Sequence, residues 1–285
     1  MSPLGSGAIA GAGFALDREA VAAELGFRTV TRNSIDAVGD RDFVVETLAA
    51  AALAMTHLSR LAEEVTWWSN PAFGFLRPAD AFSTGSSMMP NKRNPDPAEL
   101  VRGRSARVTG HLMAAMGLLK GLPAGYQRDL QEDKPPLFDA LGVLESSLRV
   151  MAGMVTTLDV DEAAMRVAAM TGYTTATAVA DALVELGVPF REAHHIVGTL
   201  VARAEASGAN LAGLADHDVA EALAASADET AAGFSGDATI VDRLRAAAGL
   251  DSALARPDVI GGTAPRRVAE ELRSAATRLG IDARS

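Results

Sequence analysis

The run Gly85-Ser86-Ser87-Met88-Met89-Pro90-Asn91-Lys92-Arg93-Asn94-Pro95 gathers hydroxyls, a cation and an amide into a stretch that interrupts helical sequence. Gly85 tolerates dihedrals closed to other residues, and Pro90 and Pro95 exclude helix, so the run reads as a loop presenting Ser86, Lys92 and Asn94 to a ligand. The matching ligand is an anion. Lys92 brings a compact positive charge and Asn94 a directional amide donor, a combination suited to a carboxylate, and successive backbone N–H groups at Gly85 and Ser86 can add a small anion nest. By composition alone, an ordinary polar loop between helices is an equally open reading, because Ser-Ser and Lys-Arg pairs are common in loops.

The elements that must hold this loop are helical. Leu48, Ala52, Met55, Leu58, Ala62 and Val65 recur three and four apart, which predicts one apolar face on a long helix from Asp40 to about Trp68. Pro71, Gly74 and Pro78 end that pattern and lead into the loop. A second helix is expected from Pro97 to Lys120, burying Leu100, Val108, Leu112, Met116 and Leu119 and stopped by Gly121-Leu122-Pro123. Leu137, Leu141, Leu144, Leu148, Met151, Val155 and Leu158 form an unbroken alternation of fours and threes, the seam of a third long helix packed at a shallow angle. Almost no strand pattern intervenes, so the fold class is all-α, a long-helix bundle over residues 1–160 with a smaller carboxy-terminal helical domain over 161–285. A short helix is expected within Asp17–Gly26, and a looser region from Ser226 to Gly249.

Composition narrows the function. The chain has 285 residues, 48% of them hydrophobic, enough for a substantial core. Cysteine is absent, which removes disulfides, thiolate nucleophiles and cysteine metal sites. A net charge of -10 opposes a phosphate backbone, so no nucleic-acid partner is expected, and an anionic substrate must be drawn by local cations such as Lys92 and Lys134. No apolar run reaches membrane-spanning length and no secretory leader pattern opens the sequence, so neither membrane insertion nor secretion is expected and the expected compartment is the cytoplasm. His194 and His195 are adjacent and diverge by about 100° on a helix, so they cannot clamp a metal as an i, i+4 pair could, and His57, His111 and His217 belong to no motif. No metal or cofactor is expected.

The loop fits, without a mismatch, the pattern G-S-S-x-M-P-x-K-x-N of the fumarase, aspartase and argininosuccinate lyase superfamily. A second segment, Gly121-Leu122-Pro123 through Tyr126-Gln127-Arg128-Asp129-Leu130-Gln131-Glu132-Asp133-Lys134, resembles the argininosuccinate lyase branch, as do Pro3-Leu4-Gly5-Ser6-Gly7-Ala8, Asn33-Ser34-Ile35-Asp36-Ala37 with Asp40-Arg41-Asp42-Phe43, and Gly261-Gly262-Thr263-Ala264-Pro265. The resemblance implies elimination of fumarate from argininosuccinate to leave arginine, without metal or organic cofactor, in a homotetramer whose sites combine residues of three subunits. It gives Ser86 the role of general base, Lys92 and Asn94 that of holding the carboxylate on which charge develops, Ser87 a place in substrate binding, and Glu99 the orientation of an active-site histidine. Tyr126, Gln131 and Lys134 resemble the residues that bind the amino-acid end of the substrate. Without the resemblance, Glu99 is equally a first-turn acid favoured by the helix dipole.

The departures from the family pattern matter too. Family members begin with a long amino-terminal region bearing a Thr-His segment, and no histidine of this chain stands in that context. The chain resembles the carboxy-terminal three fifths or so of the family, so by itself it is not expected to turn over substrate. Gln127 stands where asparagine is usual, a change that bears on the amino-acid pocket. Two rival readings stay open: a truncated, non-catalytic paralogue acting as a structural or interaction subunit, and a sister lyase releasing fumarate from another substrate. The run Asp129–Lys134 argues against the sister.

Overall fold

Two polar caps start the chain's ordered elements. Asp17 accepts from the Ala20 amide at the head of α1 (Arg18–Glu24), and Asn33 accepts from Ile35 and Asp36 at the head of α2 (Ser34–Gly39). The long helix α3 (Asp42–Trp68) follows and buries Leu48, Ala52, Met55, Ala62 and Val65 on the face its three- and four-residue spacing predicts. The structure, a computed structural model, describes residues 1–85, 87–89 and 92–281. Its chain divides into two units, Met1–Asp161 and Glu162–Ser285.

In the first unit, α3 is followed by the short strands β1 (Leu76–Arg77), β2 (Thr84–Gly85) and β3 (Arg93–Asn94), then by α4 (Asp96–Leu119), a 3-10 turn at Arg128–Asp133, α5 (Lys134–Thr156) and β4 (Asp159–Val160). Pro97 near the start of α4 and Pro135 and Pro136 near the start of α5 occupy first-turn positions, where no intrahelical N–H partner is lost. The three long helices pack on one another around Met55, Val101, Val108, Met151 and Met154.

Contacts at the two ends fix their directions. At one end β1 pairs antiparallel with β4, Leu76 opposite Val160, which brings the segment after α3 beside the segment after α5. The Phe82 ring lies over Gly153 of α5 so closely that a Cβ there would stand 2.6 Å from Cζ. At the other end Arg41, just before α3, pairs with Asp133, just before α5. Thus α3 and α5 run the same way and α4 runs against them. The Arg102–Glu63 ion pair at 2.6 Å between α4 and α3 and the His111–Asp139 contact between α4 and α5 fit that arrangement.

The large residues expected to be buried on α4 and α5 are only partly so. Leu100 and Met116 are exposed, and the buried positions of α4 are Ala98, Val101, Val108 and Ala115. On α5 the buried stripe is Ala140, Val143, Ser147, Met151 and Met154, while Leu141, Leu148 and Val155 of the expected seam face outward. Small residues let neighbouring helix backbones approach within the chain, which leaves the bulkier stripes on the surface.

The second unit comprises α6 (Glu162–Ala169), α7 (Ala176–Glu185), α8 (Phe190–Ser207), α9 (Asp216–Ala224), α10 (Glu229–Gly233), α11 (Ala238–Ala248), α12 (Leu250–Ala255) and α13 (Pro265–Leu279). Its core includes Leu183, Ile196, Leu200, Leu223 and Leu244. The region expected to be loose contains α10 and α11, started by the caps Asp228 and Asp237 and closed onto the core by Val241, Leu244 and Ala248. His194 and His195 are exposed on α8. No described helix is long and apolar enough to cross a membrane.

Candidate active site

The loop is closed at its stem. Thr84 pairs with Asn94 and Gly85 with Arg93 across the β2–β3 ladder, which holds the two feet of the loop side by side. The Thr84 hydroxyl donates to the Asp96 carboxylate in the first turn of α4, and Arg93 pairs with Asp80, which ties the stem to its surroundings. Within the loop the Lys92 amide donates to the Met89 carbonyl at 3.1 Å. Ser87 and Lys92 are exposed and Asn94 is half-buried beside the helix. Ser86, like Pro90 and Asn91, lies outside the described residues. Glu99 is exposed in the first turn of α4, with its amide bonded to the Pro95 carbonyl at 3.2 Å. Cations and amides therefore gather ahead of α4, at a helix N-terminus whose dipole favours a negative ligand.

The second group lies at the other end. Gly125 is buried at φ +84°, and a Cβ on Gly39 would stand 2.7 Å from the Gly125 carbonyl oxygen, so the end of α2 and this loop meet backbone to backbone. Tyr126 follows directly and is largely exposed, Leu130 is buried beneath the 3-10 turn, and Gln131 is exposed on it. Lys134 donates to Asp133 Oδ1 at 2.7 Å, while Arg41 Nε donates to Oδ2 of the same carboxylate. Burial of Asp133 opposes its ionisation, but the hydrogen bonds from Lys134 and Arg41 outweigh that and hold its carboxyl below the ordinary aspartate range. A cavity of about 1000 Å³ opens beside this cluster, walled by Phe27, Phe43, Leu137 and Phe138.

Sequence-predicted residues thus form two groups. Ser87, Lys92, Asn94 and Glu99 precede or begin α4, whereas Tyr126, Gln131 and Lys134 follow its last residue. A helix of 24 residues spans about 36 Å, far more than one small substrate can bridge. One copy of the chain does not bring the two groups together.

Among the ion-pair clusters that escaped the sequence reading, two join partners 92 and 28 residues apart, which no local spacing marks. One is Arg41–Asp133. The other is on the α4–α5 face, where His111 Nε2 lies 2.6 Å from Asp139 Oδ2 and Arg107 pairs with the same carboxylate. The His111 hydrogen bond, reinforced by Arg107 against the cost of burial, lowers the Asp139 pKa. Among the described residues no group of three or more His, Asp or Glu is arranged to hold a metal ion.

Residues 1–110 match the lyase family, and residues 173–238 match the family described as argininosuccinate lyase C-terminal. The argininosuccinate lyase of Carboxydothermus hydrogenoformans is 46% identical over 274 residues, 96% of this chain and 57% of that relative. A variant of EDDS lyase, solved with bound fumarate, superposes with a TM-score of 0.83 at 30% identity over 98% of this chain and 55% of that one. The class II fumarase of Schistosoma mansoni shares the fold, with a TM-score of 0.58 at 17% identity over 77% of this chain and 42% of that one. The chain therefore spans little more than half the length of that argininosuccinate lyase and of the EDDS lyase. Matched almost from end to end by part of an argininosuccinate lyase, and by the lyase and argininosuccinate lyase C-terminal family models over residues 1–110 and 173–238, the chain is most simply described as similar to the argininosuccinate lyases.

Proposed function

We propose that this chain forms the carboxy-terminal part of an argininosuccinate lyase, which eliminates fumarate from argininosuccinate and leaves arginine. The observation that carries this reading is its 46% identity, along 96% of its length, to a lyase of that specificity. In the proposed mechanism Ser86 removes a proton from the carbon next to a carboxylate of the succinyl half. The electron pair passes into that carboxylate as an aci-carboxylate, then returns to form the double bond as the C–N bond breaks and the departing nitrogen takes a proton. Lys92 and Asn94 face the carboxylate on which charge grows, so they bind the transition state more tightly than the ground state. Free serine is far too weak a base. Positive charge, backbone dipoles and exclusion of water, supplied when the loop closes, bring the alkoxide within reach. Ser87 contributes to binding of the fumarate half, Glu99 orients a histidine supplied from elsewhere in the assembly, and Tyr126, Gln131 and Lys134 hold the amino-acid end.

The separation of the two groups by the length of α4 supports a site shared between copies, as in a homotetramer, and the exposed stripe of Leu141, Leu148 and Val155 supplies an apolar face for such an assembly. The cysteine-free, acidic sequence fits a cytoplasmic enzyme. The test is fumarate release from argininosuccinate by an assembly containing this chain and the family's amino-terminal helices, whichever polypeptide supplies them. Turnover is expected there and negligible turnover from the chain alone, and Ser86→Ala is expected to collapse kcat without changing helical content or assembly size. A kcat within a few-fold of the parent, about 1 kcal/mol or less in barrier, removes Ser86 from the mechanism.

A further inference from the structure

Asp133 divides its carboxylate between two cations that differ in burial. The Arg41 side chain is 15% exposed and that of Asp133 7%, whereas that of Lys134 is 56% exposed. Arg41 is held on its other side by the carbonyls of Asp40, at 2.6 Å, and Val38, at 3.4 Å. Two positive charges against one negative leave the trio with a net charge of about +1. Because Arg41 is locked in the buried layer, the uncompensated charge resides on the outermost member, Lys134. All three residues line the cavity of about 1000 Å³, whose wall also carries Asp42 and Glu46. Cations for a carboxylate and acids for an ammonium, on one wall, suit the dipolar end of an amino acid.

We infer that Arg41 is a positioning residue that leaves the positive charge of Lys134 available to ligand: by occupying Oδ2 of Asp133 it prevents that carboxylate from fully offsetting Lys134, which can then bind the α-carboxylate of the arginine half. The inference rests on the role proposed above for Lys134. Without Arg41 the remaining Asp133–Lys134 pair is neutral, and an incoming carboxylate must compete with Asp133 for the ammonium. Neutralising both buried partners restores the balance, because Lys134 again carries an unshared charge.

The experiment compares arginine with agmatine, which retains the guanidinium but lacks the carboxylate, by calorimetric titration of the assembly used for turnover. The parent protein is expected to prefer arginine. Arg41→Gln is expected to cut that preference roughly tenfold, the worth of one charge-assisted hydrogen bond, with agmatine affinity held. The double variant Arg41→Gln/Asp133→Asn is expected to regain it. A purely structural clamp predicts otherwise, since both ligands would weaken together and the double variant would be no better than the single. Retained preference in Arg41→Gln, or none regained in the double variant, overturns the inference. Should Arg41→Gln fail to fold, the double variant decides: a parent-like preference supports the charge-balance role and a lost one refutes it. If the parent itself does not distinguish the two ligands, the assignment of Lys134 to the carboxylate fails, and this inference with it.

Discussion

Gln131 sits exposed on a 3-10 turn whose neighbours Leu130 and Asp133 are buried, so its amide is presented by a fixed backbone and not by a free loop. That placement gives the proposed division of labour a residue-level test. If Gln131 bonds only the amino-acid end, Gln131→Ala leaves ligand polar groups unpaired and weakens arginine binding by roughly 1–3 kcal/mol, while fumarate binding is unchanged. Paired titrations of the assembly with arginine and with fumarate read both numbers. Weakened fumarate with arginine spared contradicts the assignment and favours a lyase of another specificity. Residue types offered Lys92 and Asn94, and the family resemblance Gln131, as candidate ligand-binding groups, but neither offered Arg41 for such a role, because its partner lies 92 residues away and the pair is recognised only in the fold.

At the scale of elements, the end of α2 and the Gly125 loop are locked by a backbone contact that has no room for a side chain. Gly39→Ala would drive a methyl to 2.7 Å from the Gly125 carbonyl oxygen, a backbone atom that cannot rotate away. The expected cost is roughly 1–3 kcal/mol, read as a lowered denaturation midpoint, together with weaker arginine binding because Tyr126 is displaced. An unchanged midpoint would mean that the contact is not what seats this loop. The three long helices were legible from their three- and four-residue spacing, since that period belongs to the helix itself. Which face turns inward was legible on α3 but not on α4 or α5. Those helices carry a small-residue stripe of Ala98, Val101, Ala115 and Ala140 beside a large-residue stripe of Leu100, Met116, Leu141 and Leu148, and side-chain size alone points to the wrong one. The looseness expected before Gly249 failed for a similar reason: short helices begin at Asp228 and Asp237, whose capping role shows only in their hydrogen bonds to Ala231 and Thr239.

For the whole molecule, the proposed chemistry draws on groups from opposite ends of α4, a helix about 36 Å long that keeps them apart in one copy, so the proposed site forms between copies. Complementation addresses this directly. Lys92→Ala disables the loop end and Gln131→Ala the other, so assemblies of either variant alone have every site damaged. When the two are mixed and allowed to exchange subunits, some sites draw their loop from the Gln131→Ala copy and their amino-acid end from the Lys92→Ala copy, and these are intact. The measurement is fumarate release by the exchanged mixture compared with each variant assembly alone. Activity well above that of either parent assembly is expected; a mixture no more active than its components, with subunit exchange verified, would contradict a site shared between copies.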